Sequence, residues 1–301
     1  MNTPPSIGFI GFGEAACHIA KGLRESGIHS IFAYDIHTDT PGRGELIRHR
    51  AEQTGTRLVA SNAILAGLSD IVLATVTANQ ASVAADQTAP HLTDRHMYAD
   101  LNSVSPGLKQ SIANTIGANC RNFVEVAIMA PVPPYGHKVS MLTGGPAAAE
   151  FAERLSPFGM QIETGSARVG TAAATKMCRS IMVKGIEALM TECILGATHY
   201  GVDEKVLASL GETFPGMDWP KLASYLVGRV VVHGERRARE MEEVAGTLAD
   251  AGVDPIMVDA IVRRMDWSAE SGLKELFGGQ APASYQEFAA KVATLQKTGV
   301  F

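Results

Sequence analysis

Apolar and polar residues alternate in two different ways along the 301-residue chain, which predicts two domains. Before about residue 166, short apolar runs rich in Val and Ile are separated by helical patterns. This rhythm predicts a parallel sheet with helices on both faces. The expected strands are residues 7–10, 30–34, 71–76, 97–100 and 123–128, with 139–142 and 160–163 as further strands at the sheet edge, and the helices include residues 15–26 and 106–116.

The second part of the chain has a helical pattern throughout. A proline-free helical stretch covers residues 169–200, and further helical patterns follow, interrupted at residues 214–216, 252–255 and 278–279. We therefore predict an α/β fold: a doubly wound Rossmann domain over residues 1–166, and an all-helical domain over residues 167–301 for substrate binding and dimerisation. One long helix is expected to join the two domains.

The composition disfavours several classes of function. A formal net charge of −5 argues against nucleic-acid binding, because such proteins need basic residues to neutralise phosphates. The chain has no apolar run of about 18 residues, the length of a membrane helix, and no secretory leader opens it, so a cytoplasmic protein is expected. Its four cysteines are scattered without a CxxC motif, which predicts neither a metal site nor a disulfide framework.

A glycine-rich turn at residues 8–16, reading GFIGFGEAA, follows the first strand and opens the first helix. Gly11 permits the tight turn, Gly13 lets the backbone approach a pyrophosphate, and Ala16 allows close contact between helix and strand. The glycine pattern alone is weak, but its place between a strand and a helix favours a dinucleotide. The turn residues expected to bind it are Gly11, Phe12, Gly13, Glu14 and Ala15.

Asp35 stands at the end of the second strand, 24 residues beyond Gly11. An acidic residue at this place accepts hydrogen bonds from ribose hydroxyls and repels a 2′-phosphate, which favours NAD over NADP as the cofactor. NADP stays open as the alternative, because Arg43 or Arg48 could reach a phosphate.

Four segments, in this order, resemble the β-hydroxyacid dehydrogenase superfamily, which includes 3-hydroxyisobutyrate and 6-phosphogluconate dehydrogenases. Residues 7–23 are similar to its cofactor turn, and residues 100–106 (DLNSVSP) to the loop after its fifth strand. Residues 125–145 occupy the place of its substrate loop, and residues 170–176 (GTAAATK) are similar to its catalytic-lysine segment. The likeness covers most of residues 1–200, and the C-terminal third looks like a divergent branch. The resemblance implies an NAD(P)-dependent oxidoreductase acting on a β-hydroxy acid or a related alcohol and carbonyl pair.

Lys176 matches the lysine that exchanges the proton of the substrate hydroxyl in that superfamily. A partly desolvated lysine can titrate near neutrality. Arg179 and Lys184 lie near the same helix face, and their positive charges are expected to lower the Lys176 pKa further. The alternative reading is a solvated basic stripe on a helix, since most lysines are surface residues.

Departures from the superfamily's pattern bear on the substrate. Ser180 replaces the usual asparagine four residues after the lysine, and Val183 replaces the acid of the decarboxylating members, which argues against their reaction. Residues 129–134 (MAPVPP) replace the usual Ser-Gly-Gly loop, and prolines have no N–H to offer a carboxylate. A bulkier or more apolar substrate is expected, with a rigid structural turn as the alternative reading.

Other candidate residues come from strand ends and from the helical domain. Val76, Thr77 and Asn102 follow strands at the carboxyl edge of the sheet and are expected to bind the cofactor, with simple strand-end capping as the alternative. Substrate contacts are expected at Ser103, Met129, Pro131, Arg179, Ser180, His233 and Arg237, and no metal is expected. The face of the helix that carries His233 and Arg237 also fits a salt-bridged solvent face.

Three functions compete at this point. The leading one is a dehydrogenase or reductase of a β-hydroxy acid or related alcohol, with Lys176 as the proton-transfer group. Imine reduction is disfavoured by Lys176, because the imine-reducing relatives usually carry an aspartate or tyrosine there. The non-catalytic alternative is a dinucleotide-sensing protein. The expected partners are a small-molecule substrate, anionic or with a bulky apolar part, and a second copy of the chain in a homodimer, without nucleic acid or membrane.

Overall fold

The computed structural model describes residues 4–297. Residues 1–3, part of the opening segment in which no leader was predicted, lie outside the described residues. The chain forms two compact units that divide after Lys176. This division lies a little further along the chain than the change of pattern near residue 166.

The first unit contains an eight-stranded sheet, whose strands are β1 (Ile7–Ile10), β2 (Ile31–Tyr34), β3 (Arg57–Leu58), β4 (Ile71–Ala74), β5 (Met97–Asp100), β6 (Phe123–Ile128), β7 (Ser140–Gly144) and β8 (Gln161–Ser166). Their order is β3-β2-β1-β4-β5-β6-β7-β8. Neighbouring strands are parallel except β6 and β7, which pair antiparallel. The predicted Rossmann sheet is confirmed, and its parallel character fails at β7 because residues 129–139 contain no crossover helix long enough to carry the chain back.

Helices cover the sheet, and in the first unit they are α1 (Glu14–Glu25), α2 (Arg43–Thr54), α3 (Asn62–Leu68), α4 (Ala81–Thr88), α5 (Pro106–Gly117), α6 (Val132–Tyr135) and α7 (Ala148–Leu155). In β1, Phe9 belongs to one buried apolar cluster and Ile10 to another, and in β4 Leu73 and Val72 divide in the same way. Successive strand side chains point to opposite faces of a sheet. The sheet therefore has a core on each face, as continuous apolar runs predict.

The second unit is helical. The long helix α8 (Thr171–His199) begins in the first unit and continues into the second, which also contains α9 (Asp203–Thr213), α10 (Trp219–Asp250), α11 (Ile256–Glu270), α12 (Leu273–Leu276) and α13 (Tyr285–Lys297). Helices α10 and α11 approach closely at Gly234, where a Cβ would lie 2.9 Å from the Met265 carbonyl oxygen. Within residues 4–297, no helix combines the length and apolar character needed to cross a membrane.

A buried ion pair holds the end of β5 to α5. The Lys109 Nζ lies 3.0 Å from Asp100 Oδ2 and donates to the Asp100 carbonyl oxygen at 2.7 Å. Asp100 is fully buried and Lys109 is 1% exposed. Each charge has lost its hydration, so either charge left alone in the core would be strongly unfavourable.

Replacing Lys109 with Met should lower the free energy of unfolding by about 3–5 kcal/mol, because the Asp100 carboxylate stays buried without its partner. Chemical denaturation followed by circular dichroism measures this loss. The control is Arg121→Met, which removes the exposed ion pair between Arg121 and Asp94 and should change stability little. Equal losses in the two variants would contradict the assignment.

Candidate functional site

A cavity of about 680 Å³ opens in the first unit at the carboxyl ends of β1, β2 and β4. The strand order reverses between β1 and β4, and open α/β sheets bind ligands at such a switch point. Residues from the turns after the three strands line it, among them Gly11, Asp35 and Val76. Its volume lies in the range of about 300–1,000 Å³ that small-molecule sites span.

The glycine-rich turn leaves room for a pyrophosphate. Gly11 has φ +80°, and a Cβ there would lie 2.8 Å from the Thr75 carbonyl oxygen, so a larger residue would strain the turn. A Cβ on Gly13 would meet no atom within 4 Å. The start of α1 is therefore open to an anion, and the residues present fit a dinucleotide.

The predicted cofactor residues differ in how they border this cavity. Gly11, Phe12 and Gly13 line it, as do Asp35, Val76 and Thr77. By contrast, Glu14 and Ala15 lie in the first turn of α1 and are not among its lining residues.

Asp35 joins the end of β2 to the glycine-rich turn. Its Oδ2 accepts a hydrogen bond from the Phe12 backbone N–H at 2.8 Å, and its Oδ1 accepts one from the His37 N–H at 2.9 Å. Each carboxylate oxygen can accept more than one hydrogen bond. The carboxylate is thus held in place while it keeps capacity for ribose hydroxyls.

Basic side chains also line the cavity near Asp35. They are His37, Arg43 and Arg50, and Arg43 Nη1 lies 3.4 Å from His37 Nε2. The other candidate for a phosphate contact, Arg48, donates to the Thr38 carbonyl oxygen instead.

Asn102 connects the loops that follow β4 and β5. It is 4% exposed, and its Oδ1 accepts from the Val76 N–H at 2.8 Å, while its Nδ2 donates to Asp100 Oδ1 at 2.5 Å. Its side chain therefore holds Val76 at the cavity edge. Ser103, next in the chain, is exposed.

A buried carboxylate anchors the start of α8. Glu125 on β6 is fully buried, and its Oε1 accepts from the backbone N–H groups of Gly170 at 2.8 Å and Ala172 at 3.0 Å. Its Oε2 accepts from the Ala173 N–H at 3.4 Å. The first amides of a helix have no partner within the helix and carry positive partial charge, so a carboxylate there is stabilising.

Gly144 makes room for this anchor. It is paired with Glu125 across the antiparallel strands β6 and β7, and a Cβ on Gly144 would lie 2.4 Å from Glu125 Oε1. A larger residue would push the carboxylate away from α8.

Lys176 lies on α8 just after this anchored start and is half-buried. Arg179 is exposed and Ser180 is half-buried, three and four residues further along the helix. Residues at these separations are neighbours on a helix surface. The three side chains therefore form one patch on α8.

The loop after β6 contains the prolines that depart from the superfamily's pattern. The Met129 N–H donates to the Ser140 carbonyl oxygen at 2.9 Å, so this amide extends the pairing of the strands. Pro131 is exposed, and residues 132–135 form the short helix α6. Pro131, Pro133 and Pro134 have no N–H to offer a carboxylate.

Charged side chains of α8 and α10 pair inside the second unit. Arg237 is 3% exposed and pairs with Glu187, which also accepts from Arg229 Nε at 3.3 Å. Nη1 of Arg237 donates to Glu187 Oε2, while its Nε has no hydrogen-bond partner among the described residues. Substrate binding by Arg237 stays a prediction from the sequence. Lys184 Nζ lies 3.0 Å from Glu240 Oε2, so the charge expected to act on Lys176 is balanced by Glu240. Burial lowers the pKa of Lys184, while Glu240 raises it.

His233 is half-buried on α10 beside these arginines. Burial, followed by the positive charges of Arg236 and Arg229, lowers the pKa of His233 to about 4. The imidazole is therefore neutral at neutral pH and is a poor proton donor there. Substrate binding by His233 stays a prediction from the sequence.

Sequence reasoning missed the anchoring role of Glu125 and the cavity residues Asn62 and Arg50. A charge inside the apolar run FVEVAI was a usable signal for Glu125, because a charged residue in a buried strand requires a partner. No local pattern distinguishes Asn62 or Arg50 from other helix residues. Among residues 4–297, no group of three or more His, Cys, Asp or Glu side chains could hold a metal ion.

Two family profiles match the chain. Residues 6–102 match the family described as NADP oxidoreductase, coenzyme F420-dependent, and residues 197–268 match a domain of unknown function, DUF1932. The first match covers the glycine-rich turn and ends at Asn102. The second covers the end of α8, all of α9 and α10, and most of α11.

Relatives and solved structures cover more of the chain. A conserved hypothetical protein from Sinorhizobium meliloti is 38% identical, with 97% of each chain covered and a TM-score of 0.83. A conserved protein of unknown function with structural similarity to 3-hydroxyacid dehydrogenases is 31% identical over 91% of this chain and 98% of that one, with a TM-score of 0.76. The mitochondrial 3-hydroxyisobutyrate dehydrogenase of Drosophila melanogaster is 28% identical over 222 residues, 71% of this chain and 65% of that protein.

These matches agree with the sheet order, the glycine-rich turn at the switch point and the helical second unit. The chain belongs to the β-hydroxyacid dehydrogenase-like superfamily.

Proposed function

We propose that this protein transfers a hydride between NAD and a β-hydroxy acid or a related alcohol and carbonyl pair, with Lys176 as the proton-transfer group. The position of Lys176 carries the proposal. It lies near the start of α8, in the same compact unit as the cofactor cavity. Glu125 holds that helix start to β6.

The chemistry divides between cofactor and protein. A bound nicotinamide supplies hydride transfer. In the oxidative direction, the neutral amine of Lys176 accepts the hydroxyl proton, and in the reductive direction the ammonium returns it. Arg179 and Ser180 are proposed to bind the substrate from the same helix face, and Ser103 from the loop after β5.

The loop after β6 supports a substrate with a bulky or apolar part. The Met129 amide is used in strand pairing, and the following segment is rich in proline. A carboxylate would therefore depend on side chains such as Arg179 more than on a backbone cradle. Met129 and Pro131 are proposed to contact the remainder of the substrate.

Lys176→Ala should lower kcat by about 10²- to 10⁴-fold, the usual contribution of a positioned acid or base. Its Kd for NADH should stay within about twofold of the parent's, because the glycine-rich turn does not involve Lys176. Lys176→Arg should not restore activity, since a guanidinium does not deprotonate near neutrality. Steady-state assays on a panel of hydroxy acids and NADH fluorescence titration provide both readouts.

Gly13→Val is the matched control, because it should impair NADH binding, which Lys176→Ala should leave nearly unchanged. Its side chain would enter open space without disturbing the fold but would obstruct a pyrophosphate, so NADH binding should be lost. Parental kcat in the Lys176→Ala variant would overturn the catalytic assignment and favour the sensing alternative.

The proposed cofactor preference is for NAD, because the Asp35 carboxylate repels a 2′-phosphate. Asp35→Ser should raise the ratio of kcat/KM with NADPH to kcat/KM with NADH. Arg43→Ser should lower that ratio, because Arg43 lines the cavity and can contact a phosphate. A parent protein with greater kcat/KM for NADPH than for NADH would contradict the preference.

Glu125 is proposed to position Lys176 through the start of α8. Glu125→Gln keeps the side-chain shape but presents an amide to the three backbone N–H groups, so kcat should fall by about 10- to 100-fold as the reacting groups lose alignment. Gly144→Ala keeps the charge but displaces the carboxylate, and should lower kcat similarly. In both variants the Kd for NADH should stay close to the parent's.

The control for charge alone is Glu163→Gln, which removes a carboxylate from an exposed position on β8 and should leave kcat unchanged. Hydrogen exchange over residues 168–176 should accelerate in the Glu125 variant and not in the control. Parental kcat in Glu125→Gln with accelerated exchange would show that the anchor serves stability alone.

A homodimer is proposed on the exposed apolar face of α8. Met182 is 65% exposed, Ile186 41% and Leu189 59%, and their spacing places them on one side of the helix. Light scattering at micromolar concentration should give twice the chain mass, and Leu189→Arg should reduce it to one chain. A monomeric parent would contradict this proposal.

A further inference from the structure

Asn62 has a hydrogen-bonding capacity that the described residues leave unused. The residue is 7% exposed and lines the cofactor cavity, yet its Oδ1 has no hydrogen-bond partner among them. A buried acceptor without a donor is unfavourable, so such a group calls for a ligand or water to complete it.

Local helix geometry does not account for Asn62. It is the first residue of α3, and the preceding Ser61 caps the helix by accepting a hydrogen bond from the Ile64 N–H at 3.2 Å. The Asn62 amide is therefore not needed as a cap.

Part of the cavity wall is formed by exposed aliphatic side chains. Ile36 is 66% exposed, Leu46 is 49% exposed and Val83 is 44% exposed, and all three line this cavity. Large aliphatic side chains in a cavity wall that also carries polar groups suit a flat ring with apolar faces and a polar edge. Ile36 lies in the turn after β2, Leu46 lies in α2, and Val83 lies in α4.

Asp35 indicates which half of the dinucleotide would reach this region. The acid at the end of the second strand contacts the adenosine ribose in such folds. Ile36 follows it directly, so the base attached to that ribose would lie among these aliphatic side chains. Adenine presents an amino group and ring nitrogens on its edge, which an asparagine amide matches.

We propose that Asn62 recognises the adenine base of the cofactor, with Oδ1 accepting a hydrogen bond from the exocyclic amine. This inference rests on the proposed use of NAD(H), and it assigns selectivity for the base to a residue outside the glycine-rich turn. Asn62 acts in binding and takes no part in proton transfer.

The test compares NADH with reduced nicotinamide hypoxanthine dinucleotide, in which an oxygen replaces the exocyclic amine. The parent should bind NADH about tenfold more tightly, the value of one hydrogen bond to a buried acceptor. Asn62→Leu should bring the two Kd values within about twofold, mainly by weakening NADH. Asn62→Asp should keep or increase the preference, because a carboxylate accepts from an amine and has no proton to donate to the oxygen.

The matched control is Asn79→Ala, which removes another amide that lines the cavity. Asn79 Oδ1 already accepts from Thr77 Oγ1 at 2.7 Å, so this variant should keep the ratio of the two Kd values. The melting temperature of unliganded Asn62→Leu should not fall, since the substitution removes an unsatisfied acceptor.

The outcomes separate this inference from the proposed function. If the parent binds NADH but Asn62→Leu retains the parent's ratio of Kd values, base recognition by Asn62 is wrong and the dehydrogenase proposal stands. If the parent binds neither NADH nor NADPH, the assigned occupant of the cavity is wrong, and both fall.

Discussion

The fully buried carboxylate of Glu125 requires donors, and it finds them in the unpaired amides at the start of α8. This requirement links three segments that are far apart in sequence. Strand β6 supplies the acid, β7 supplies Gly144 directly opposite it, and the helix supplies its first N–H groups. The helix start is thereby fixed to the sheet whose other strands form the cofactor cavity. The start of α8, the helix that carries Lys176, is thus tied to β6 by one buried interaction.

Much of the fold could be predicted because buried parallel strands have nearly continuous apolar sequences. Strands β1, β5 and β6 have the bounds expected from the sequence. The two-residue strand β3 was missed, since two residues are too few to establish a period. The antiparallel direction of β7 was also missed, because direction depends on the path of the connecting chain and not on the apolar run itself.

In the candidate site, some residues could be identified from a local motif, whereas others act through partners far away in the sequence. Gly11 and Gly13 could be assigned from a motif, because their function depends on a turn of a few residues. Glu125 acts on an amide 45 residues away, and Arg237 pairs with a carboxylate 50 residues away. A helical period gives the face that Arg237 occupies but does not tell whether that face meets solvent or another helix. Pairs between residues so far apart in sequence depend on how the helices pack, which the sequence pattern does not specify.

Two buried polar groups of this protein have different consequences. Asp100 and Lys109 form a buried ion pair whose charges neutralise each other, which ties the end of β5 to α5. Asn62 is incomplete, and an unsatisfied buried acceptor costs about 1–3 kcal/mol. A folded domain is stable by only about 5–15 kcal/mol, so this cost is appreciable. This cost is removed when a ligand donates a hydrogen bond to Asn62, and it remains when the ligand presents an acceptor there. An unsatisfied acceptor at a cavity wall therefore lowers the stability of the unliganded protein. The same free energy favours a ligand that donates a hydrogen bond over one that does not.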